Sequence, residues 1–208
     1  MTREELSKFL IRDGYLKTSA IIEAFQKIDR RDFVLSEYAG DAYSNISLPI
    51  GNGQSISQPL IVAFMLELLA PQKGEKILEI GSGSGWQTAL LAELVGEEGK
   101  IVAIEIEPEL KKNTENNLEK YGFLEKGIVE IILGDGSLGW TGEAPFDKII
   151  ISGETKIIFD DWKNQLRLGG RLIAPVGDSV ILLEKIEADN FSEKRFFGFK
   201  FSPLKAVN

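Results

Sequence analysis

The 208-residue chain contains no cysteine and no histidine. Without thiols it can form neither a disulfide nor a thiolate metal site, and it has no thiol nucleophile. Without imidazole it lacks the commonest general base and a common metal ligand, so its chemistry must need neither, and no metal site is expected. Positive charge is scarce as well. Lys and Arg together number 24 against 32 Asp and Glu, a net charge of −8, and no basic stripe advertises a polyphosphate partner, which argues against nucleic acid. No apolar run approaches a membrane span, and the opening residues, TREELSKF, are charged where a signal core would be apolar. These absences point to a cytoplasmic protein with no membrane partner, expected to be a monomer. The length suits one domain with a full core, read here as a helical and loop-bearing extension over 1–70 and a core over 71–208.

What is present is organised around KILEIGSGSGWQTALLAELV, residues 76–95. Lys76 to Ile80 is a short apolar run, as expected for a buried strand. Trp86 to Val95 is rich in helix formers and is followed by Gly96, a natural stop. Between them, Gly81-Ser82-Gly83-Ser84-Gly85 turns the chain with almost no side-chain bulk, so a ligand can approach bare main chain at a strand's carboxyl end. A dinucleotide fingerprint would place a third glycine where Trp86 stands, and a phosphate-cradling loop would need a lysine that is missing. What remains is ExGxGxG beginning at Glu79. It resembles motif I of S-adenosylmethionine-dependent methyltransferases; a glycine-rich turn in some other α/β fold is the alternative.

The rest of the chain follows an alternating pattern. Helices are expected over Glu4–Leu16 and Ser19–Ile28, the second with Ile21, Ile22, Phe25 and Ile28 as a core stripe. Arg30-Arg31-Asp32 reads as a charged surface turn. Leu48 to Ser57 reads as a glycine-rich loop, leading into an apolar helix after Pro59 that Ser57 or Gln58 could cap. Strands are expected at Lys100–Glu105, Ile128–Leu133, Phe146–Ser152 and Arg171–Val176, with a short helix at Asp161–Leu168 ending at Gly169-Gly170. Ser179–Glu187 and Lys194–Phe201 form a closing antiparallel pair. This is an α/β protein: a doubly wound, mostly parallel, Rossmann-like seven-stranded sheet with a C-terminal antiparallel hairpin and an N-terminal helical extension. Glu105 lies about 20 residues beyond the glycine turn, where a strand-end carboxylate can accept from both hydroxyls of a ribose. Asp135, between Gly134 and Gly136 after the next strand, is either a turn residue or a second acceptor beside the ligand.

Taken together, GYLKTSAIIEAFQKIDRRDFV, AYSNISLPIGNGQSISQP, LEIGSGSGWQTALLAELVG, IEIEPEL, GDGSLGW, APFDKIII and LRLGGRLIAPVG resemble the protein-L-isoaspartate O-methyltransferases over nearly the whole chain. LPIGNGQSISQP is the most specific of these stretches. Three features depart from the family pattern: Asn52 stands where a histidine is usual, SGETKIIFDDW replaces an alanine-rich segment ending in proline, and the sequence ends soon after FSPL, which resembles the family's FVPL at the substrate wall. The resemblance implies transfer of the methyl group of S-adenosylmethionine to the free α-carboxylate of isoaspartyl residues in damaged proteins or peptides. It places Ser57 at the transferred methyl. It also assigns cofactor contacts to Ile56, Ser57, Glu79, Gly81, Ser82, Gly83, Gln87, Glu105, Ile106, Asp135 and Gly136. A carboxylate is already ionised at neutral pH, so such a reaction needs no base, in keeping with a chain lacking histidine and cysteine. The same scaffold could serve another peptide or small-molecule carboxylate, or could bind the cofactor without catalysis.

Overall fold

The structure, a computed structural model, describes residues 1–205. Helix α1 (Arg3–Arg12) starts at a reciprocal cap in which the Thr2 hydroxyl accepts from the Glu5 N–H and the Glu5 carboxylate accepts from the Thr2 N–H. It ends well before Leu16 as the chain turns away through Gly14. Helix α2 (Ser19–Lys27) buries Ile21, Ala24 and Phe25. The Arg30 turn departs from expectation. It is a 3-10 helix, Arg30–Phe33, in which Arg31 stays exposed but Arg30 is only 2% exposed.

The stretch expected to be an open loop is a small antiparallel hairpin, β1 (Leu48–Gly51) with β2 (Gln54–Ile56), turned by Asn52 at φ 52° between two glycines. Asn tolerates that left-handed conformation better than most side chains do. Helix α3 (Pro59–Leu69) follows, and neither expected residue caps it. Gln58 occupies the cap position without a side-chain bond, while Asn45 Oδ1 reaches across to accept from the Leu60 N–H at 3.0 Å.

The core then alternates β3 (Lys76–Ile80), α4 (Trp86–Val95), β4 (Lys100–Glu105), α5 (Pro108–Glu119), β5 (Val129–Leu133), β6 (Phe146–Ile151), α6 (Asp160–Asn164), β7 (Leu166–Val176), β8 (Ser179–Glu187) and β9 (Asn190–Phe197). These strands form one seven-stranded sheet in the order β5-β4-β3-β6-β7-β8-β9, parallel through β7 and antiparallel at β8 and β9. Two boundaries differ from the sequence reading. Leu166 to Gly170 is strand rather than helix end and helix stop: Leu166 pairs with Phe146, and Gly170 comes so near the neighbouring strand that a Cβ would meet the Asp147 carbonyl at 2.8 Å. At the other end, β9 begins at Asn190 and stops at Phe197. Gly198 (φ 96°) then takes the chain out of the sheet, where Phe199 stacks on Phe64 at 4.8 Å between ring centroids.

Strand alternation sorts the core. Ile77, Ile101 and Ala103 point toward α4 and α5, where Leu90, Leu91, Leu110 and Leu118 are buried with them. Leu78, Ile80, Val102 and Ile104 point to the other face, covered by α6 and the β5 to β6 connection, with Trp162 at its centre. Strand β3 has β4 on one side and β6 on the other, so chain direction across the sheet reverses there. The crevice at its carboxyl end is the expected place for a ligand.

Candidate active site

Glu79 shares the parity of Ile77, which aims its carboxylate at the first turn of α4. There it accepts from Thr88 Oγ1 at 2.6 Å, Gln87 Nε2 at 2.9 Å and Ser152 Oγ at 3.3 Å, and it is fully buried. Burial without a cationic partner pushes its pKa up to about 7; the three donors pull it down, and the nearby Glu105 charge raises it further. The glycine turn beyond β3 is pinned from α5. Thr114 Oγ1 donates to the Gly83 carbonyl at 2.8 Å and Asn117 Nδ2 to the Ser84 carbonyl at 3.0 Å. A side chain at Gly85 would put its Cβ 2.9 Å from Thr114 Cγ2, in a backbone conformation (φ 86°) that only glycine adopts readily.

Glu105 closes β4 and ties the same turn to the neighbouring strand. Its Oε2 accepts from the Gly83 N–H at 2.8 Å, and its Oε1 accepts from the Ile106 and Glu107 N–H groups at 2.9 and 3.0 Å. Three backbone donors fix this carboxylate before any ligand arrives. Asp135 accepts from the Ser137 N–H at 2.8 Å and starts a 3-10 turn, so the turn role is present whether or not it also meets a ligand.

These groups surround a cavity of about 280 Å³ whose wall includes Ile56, Ser57, Glu79, Gly81, Ser82, Gly83, Gln87 and Ser152. A recess of about 20 Å³ lined by Glu105, Ile106, Gly134 and Gly136 meets it at Gln54, Gly81, Leu204 and Lys205. Asp135 is not itself part of either wall, although both flanking glycines line the recess. In the larger wall Ser82 Oγ and Trp86 Nε1 are buried with no hydrogen-bond partner among the described residues, and there Glu79 meets only neutral donors. A buried carboxylate lacking a cation, beside spare donors, suits a ligand that carries both an ammonium and a carboxylate, as the methionyl end of S-adenosylmethionine does.

A second cavity, about 190 Å³, lies against the first. Its wall comprises Ser47, Ser55, Ser57, Gln58, Ile61, Ser152, Lys200, Phe201 and Ser202. Ser55, Ser57, Ser152 and Ser202 belong to both walls, so four hydroxyl side chains stand between the two spaces. Among the described residues, Lys200 is the one charged residue in the second wall.

Composition and spacing do not point to several of these residues, and FSPL at 201–204 is marked only by its resemblance to the family's FVPL. The segment after β9 returns across the cleft: the Glu154 N–H donates to the Ser202 carbonyl at 2.9 Å and the Leu204 N–H to the Glu154 carbonyl at 2.8 Å. Lys205 Nζ bonds the Asn52 carbonyl and the Glu107 carboxylate, both at 2.7 Å. Ser152 could have been suspected only from its place one residue past β6, the strand beside Glu79.

The switch-point crevice, the glycine turn and the strand-end acids define an S-adenosylmethionine-dependent methyltransferase of the Rossmann-like class. A family model described as Protein-L-isoaspartate(D-aspartate) O-methyltransferase (PCMT) matches residues 1–207. A Protein-L-isoaspartate O-methyltransferase of Methanopyrus kandleri is 39% identical over 206 residues, 97% of this chain and 90% of that protein. The chain belongs to the protein-L-isoaspartate(D-aspartate) O-methyltransferase family. Among solved structures, a protein-L-isoaspartate O-methyltransferase superposes with a TM-score of 0.88 at 26% identity; the alignment covers 99% of this chain and 66% of that longer one. A putative family member from Plasmodium falciparum, in complex with S-adenosyl-L-homocysteine, has the same fold, with a TM-score of 0.88 at 19% identity over 99% of both chains.

Proposed function

We propose that this chain transfers the methyl group of S-adenosylmethionine to the free α-carboxylate of L-isoaspartyl residues in damaged proteins or peptides, the ester then favouring closure to a succinimide. The observation that carries the reading is the position of Ser57, in the wall that the donor cavity shares with a second cavity whose one charged residue is Lys200. When bound, the cofactor supplies an electrophilic methyl group on a sulfonium. The chain supplies the holding. Glu79, kept in place by Gln87 and Thr88, takes the methionyl ammonium. The main chain at Gly81, Ser82 and Gly83 faces the methionyl carboxylate. Glu105 accepts from the ribose hydroxyls, with Ile56, Ile106 and Gly136 as walls and Asp135 within reach of the adenine amino group.

The acceptor carboxylate, ionised at neutral pH, needs no base. Ser57 donates to one of its oxygens and leaves the other aimed across the shared wall; as the new O–CH₃ bond forms, the S–CH₃ bond breaks. Ser57 is assigned no nucleophilic role, for the chain has no imidazole to take its proton. Lys200 favours an anionic guest, and Ile61 and Phe201 keep water from the reacting oxygen. Orientation of this kind can be worth about 7–11 kcal/mol. The proposal includes a monomeric, cytoplasmic protein acting as a single domain, with 1–70 as its acceptor-loop extension and 71–208 as its Rossmann-like core.

The test is methylation of an isoaspartyl peptide by purified protein, with the aspartyl isomer as control. Transfer to the first alone is expected, and transfer to neither with cofactor still bound overturns the reading. A second reading, another peptide or small-molecule carboxylate as acceptor, is favoured by one observation: Ser152, in the acceptor wall, begins the segment SGETKIIFDDW that departs from the family pattern. Equal transfer to unrelated carboxylates would support it.

A further inference from the structure

Arg30 is the most deeply buried arginine of the described residues, and none of its contacts is a carboxylate. Its two terminal nitrogens are spent on main-chain carbonyls, while Nε is buried with no hydrogen-bond partner among the described residues. Nη1 donates to Ala42 at 2.8 Å and Ser44 at 3.3 Å; Nη2 donates to Ile46 at 3.0 Å and Ser57 at 3.0 Å. All four acceptors lie on one stretch, 42–57, so the side chain gathers both ends of the segment that contains the β1–β2 hairpin. The guanidinium Cζ lies over the ring of Trp86, 5.2 Å from its centroid; Trp86 is the first residue of α4 after the glycine turn. One side chain therefore touches the acceptor segment at the Ser57 peptide and the donor turn at its exit. A desolvated cation with no counter-charge is costly, and its pKa is drawn down to about 10 by burial. Simple anchoring of a loop could be done more cheaply by neutral donors.

We infer that Arg30 is a positioning residue for methyl transfer, setting the Ser57 hydroxyl against the donor site by clamping the 42–57 segment to the face of Trp86. The inference rests on the function proposed above. It requires arginine in particular. Lysine offers three donors from one point and no plane to lie on the indole, so it cannot bridge four carbonyls and a ring at once. In-line transfer tolerates little error, and a misplacement of about 1 Å can cost about 100-fold in rate.

The test is a double-mutant cycle on the full chain, following methyl transfer from S-adenosylmethionine to an isoaspartyl peptide and, separately, cofactor affinity by calorimetry. Arg30→Lys is expected to lower kcat by about 30- to 100-fold, with cofactor Kd within about threefold of wild type. In the Ser57→Ala background the same substitution should cost less than about threefold, because a clamp that acts through Ser57 has nothing left to position. Should the Arg30 variant fail to fold, Trp86→Phe carries the same cycle, read as kcat at saturating cofactor because Trp86 also lines the donor cavity: a smaller ring under the guanidinium is expected to slow transfer about three- to tenfold with Ser57 present and negligibly without it. Equal losses in both backgrounds, or a loss confined to cofactor affinity or thermal stability, overturn the inference while leaving the proposed function standing. A wild-type protein that methylates no isoaspartyl peptide overturns both.

Discussion

At the donor end of the cleft, Glu79, the glycine turn and Glu105 are fixed mainly by hydrogen bonds among β3, α4, β4 and α5, within residues 76–119, with Ser152 adding one bond to Glu79. At the acceptor end, the wall around Ser57 is assembled from residues 47–61, from Ser152 and from 200–202, and it is joined by a buried arginine and by main-chain bonds between Glu154 and the 202–204 segment. The first arrangement comes with the sheet: once parallel register is set, each strand end delivers its group to the crevice. The second has no shared register. It depends on long-range contacts, so acceptor recognition can change, or fail, while the cofactor site stays intact.

The comparison can be broken hardest at Glu105. Glu105→Ala leaves three N–H groups without an acceptor, each costing about 1–3 kcal/mol where water cannot replace it. S-adenosylmethionine affinity, measured by calorimetry, is expected to fall by at least about 100-fold together with a lowered Tm; an unchanged Kd would show that the donor end is not organised around this carboxylate. Ser57→Ala should do the reverse, lowering kcat about 10- to 100-fold with cofactor Kd within about twofold, as one hydrogen bond to a charged group is worth about 1.5–3 kcal/mol. Loss of cofactor binding in this variant would erase the distinction between the two ends.

Glu79 sharpens the donor side through pH. With its pKa raised to about 7 in the free protein, a cationic cofactor favours the ionised form, so affinity should rise about five- to tenfold from pH 6 to 7.5 and stay flat in Glu79→Gln. The sign for stability is opposite. A carboxyl raised above its ordinary 4.5 contributes stability that is full below that value and is lost as pH rises through about 7. The free protein should therefore lose Tm across that window, and Glu79→Gln should remove this part of the slope. The smallest effect is expected at Lys200. Lys200→Gln should raise KM for an isoaspartyl peptide about two- to fivefold, an effect that fades with added salt and leaves cofactor binding alone.

The donor end was the legible one. Strand period and the glycine cluster announce β3 and β4 residue by residue, and a carboxylate at a strand's last position can only face the crevice. Arg30 shows what patterns miss. Its neighbours Arg31 and Asp32 make it look like part of a solvated charge run, and the carbonyls that bury it have no signature in residue types. Asn45 capping α3 from outside the local sequence is a miss of the same kind. Leu166 to Gly170 is ambiguous in sequence because a Leu-Arg-Leu-Gly-Gly string fits a helix end as well as a strand, and only pairing with Phe146 decides between them. The residues after Gly198 continue an alternating pattern that suggests strand, and one backbone angle sends them over the cleft instead.

One of the two edge strands of the sheet is β9, where Ser192, Glu193, Lys194 and Arg195 are all exposed and mix both signs of charge. On the proposed function, the guests of this protein are ageing chains, some of them partly unravelled, with main-chain hydrogen-bonding groups to spare. A bare apolar border would invite such chains to add themselves as an eighth strand and to stay. Lined with charge, this edge offers them little to zip onto, so on that side a repaired molecule can meet the cleft and leave without becoming part of its host.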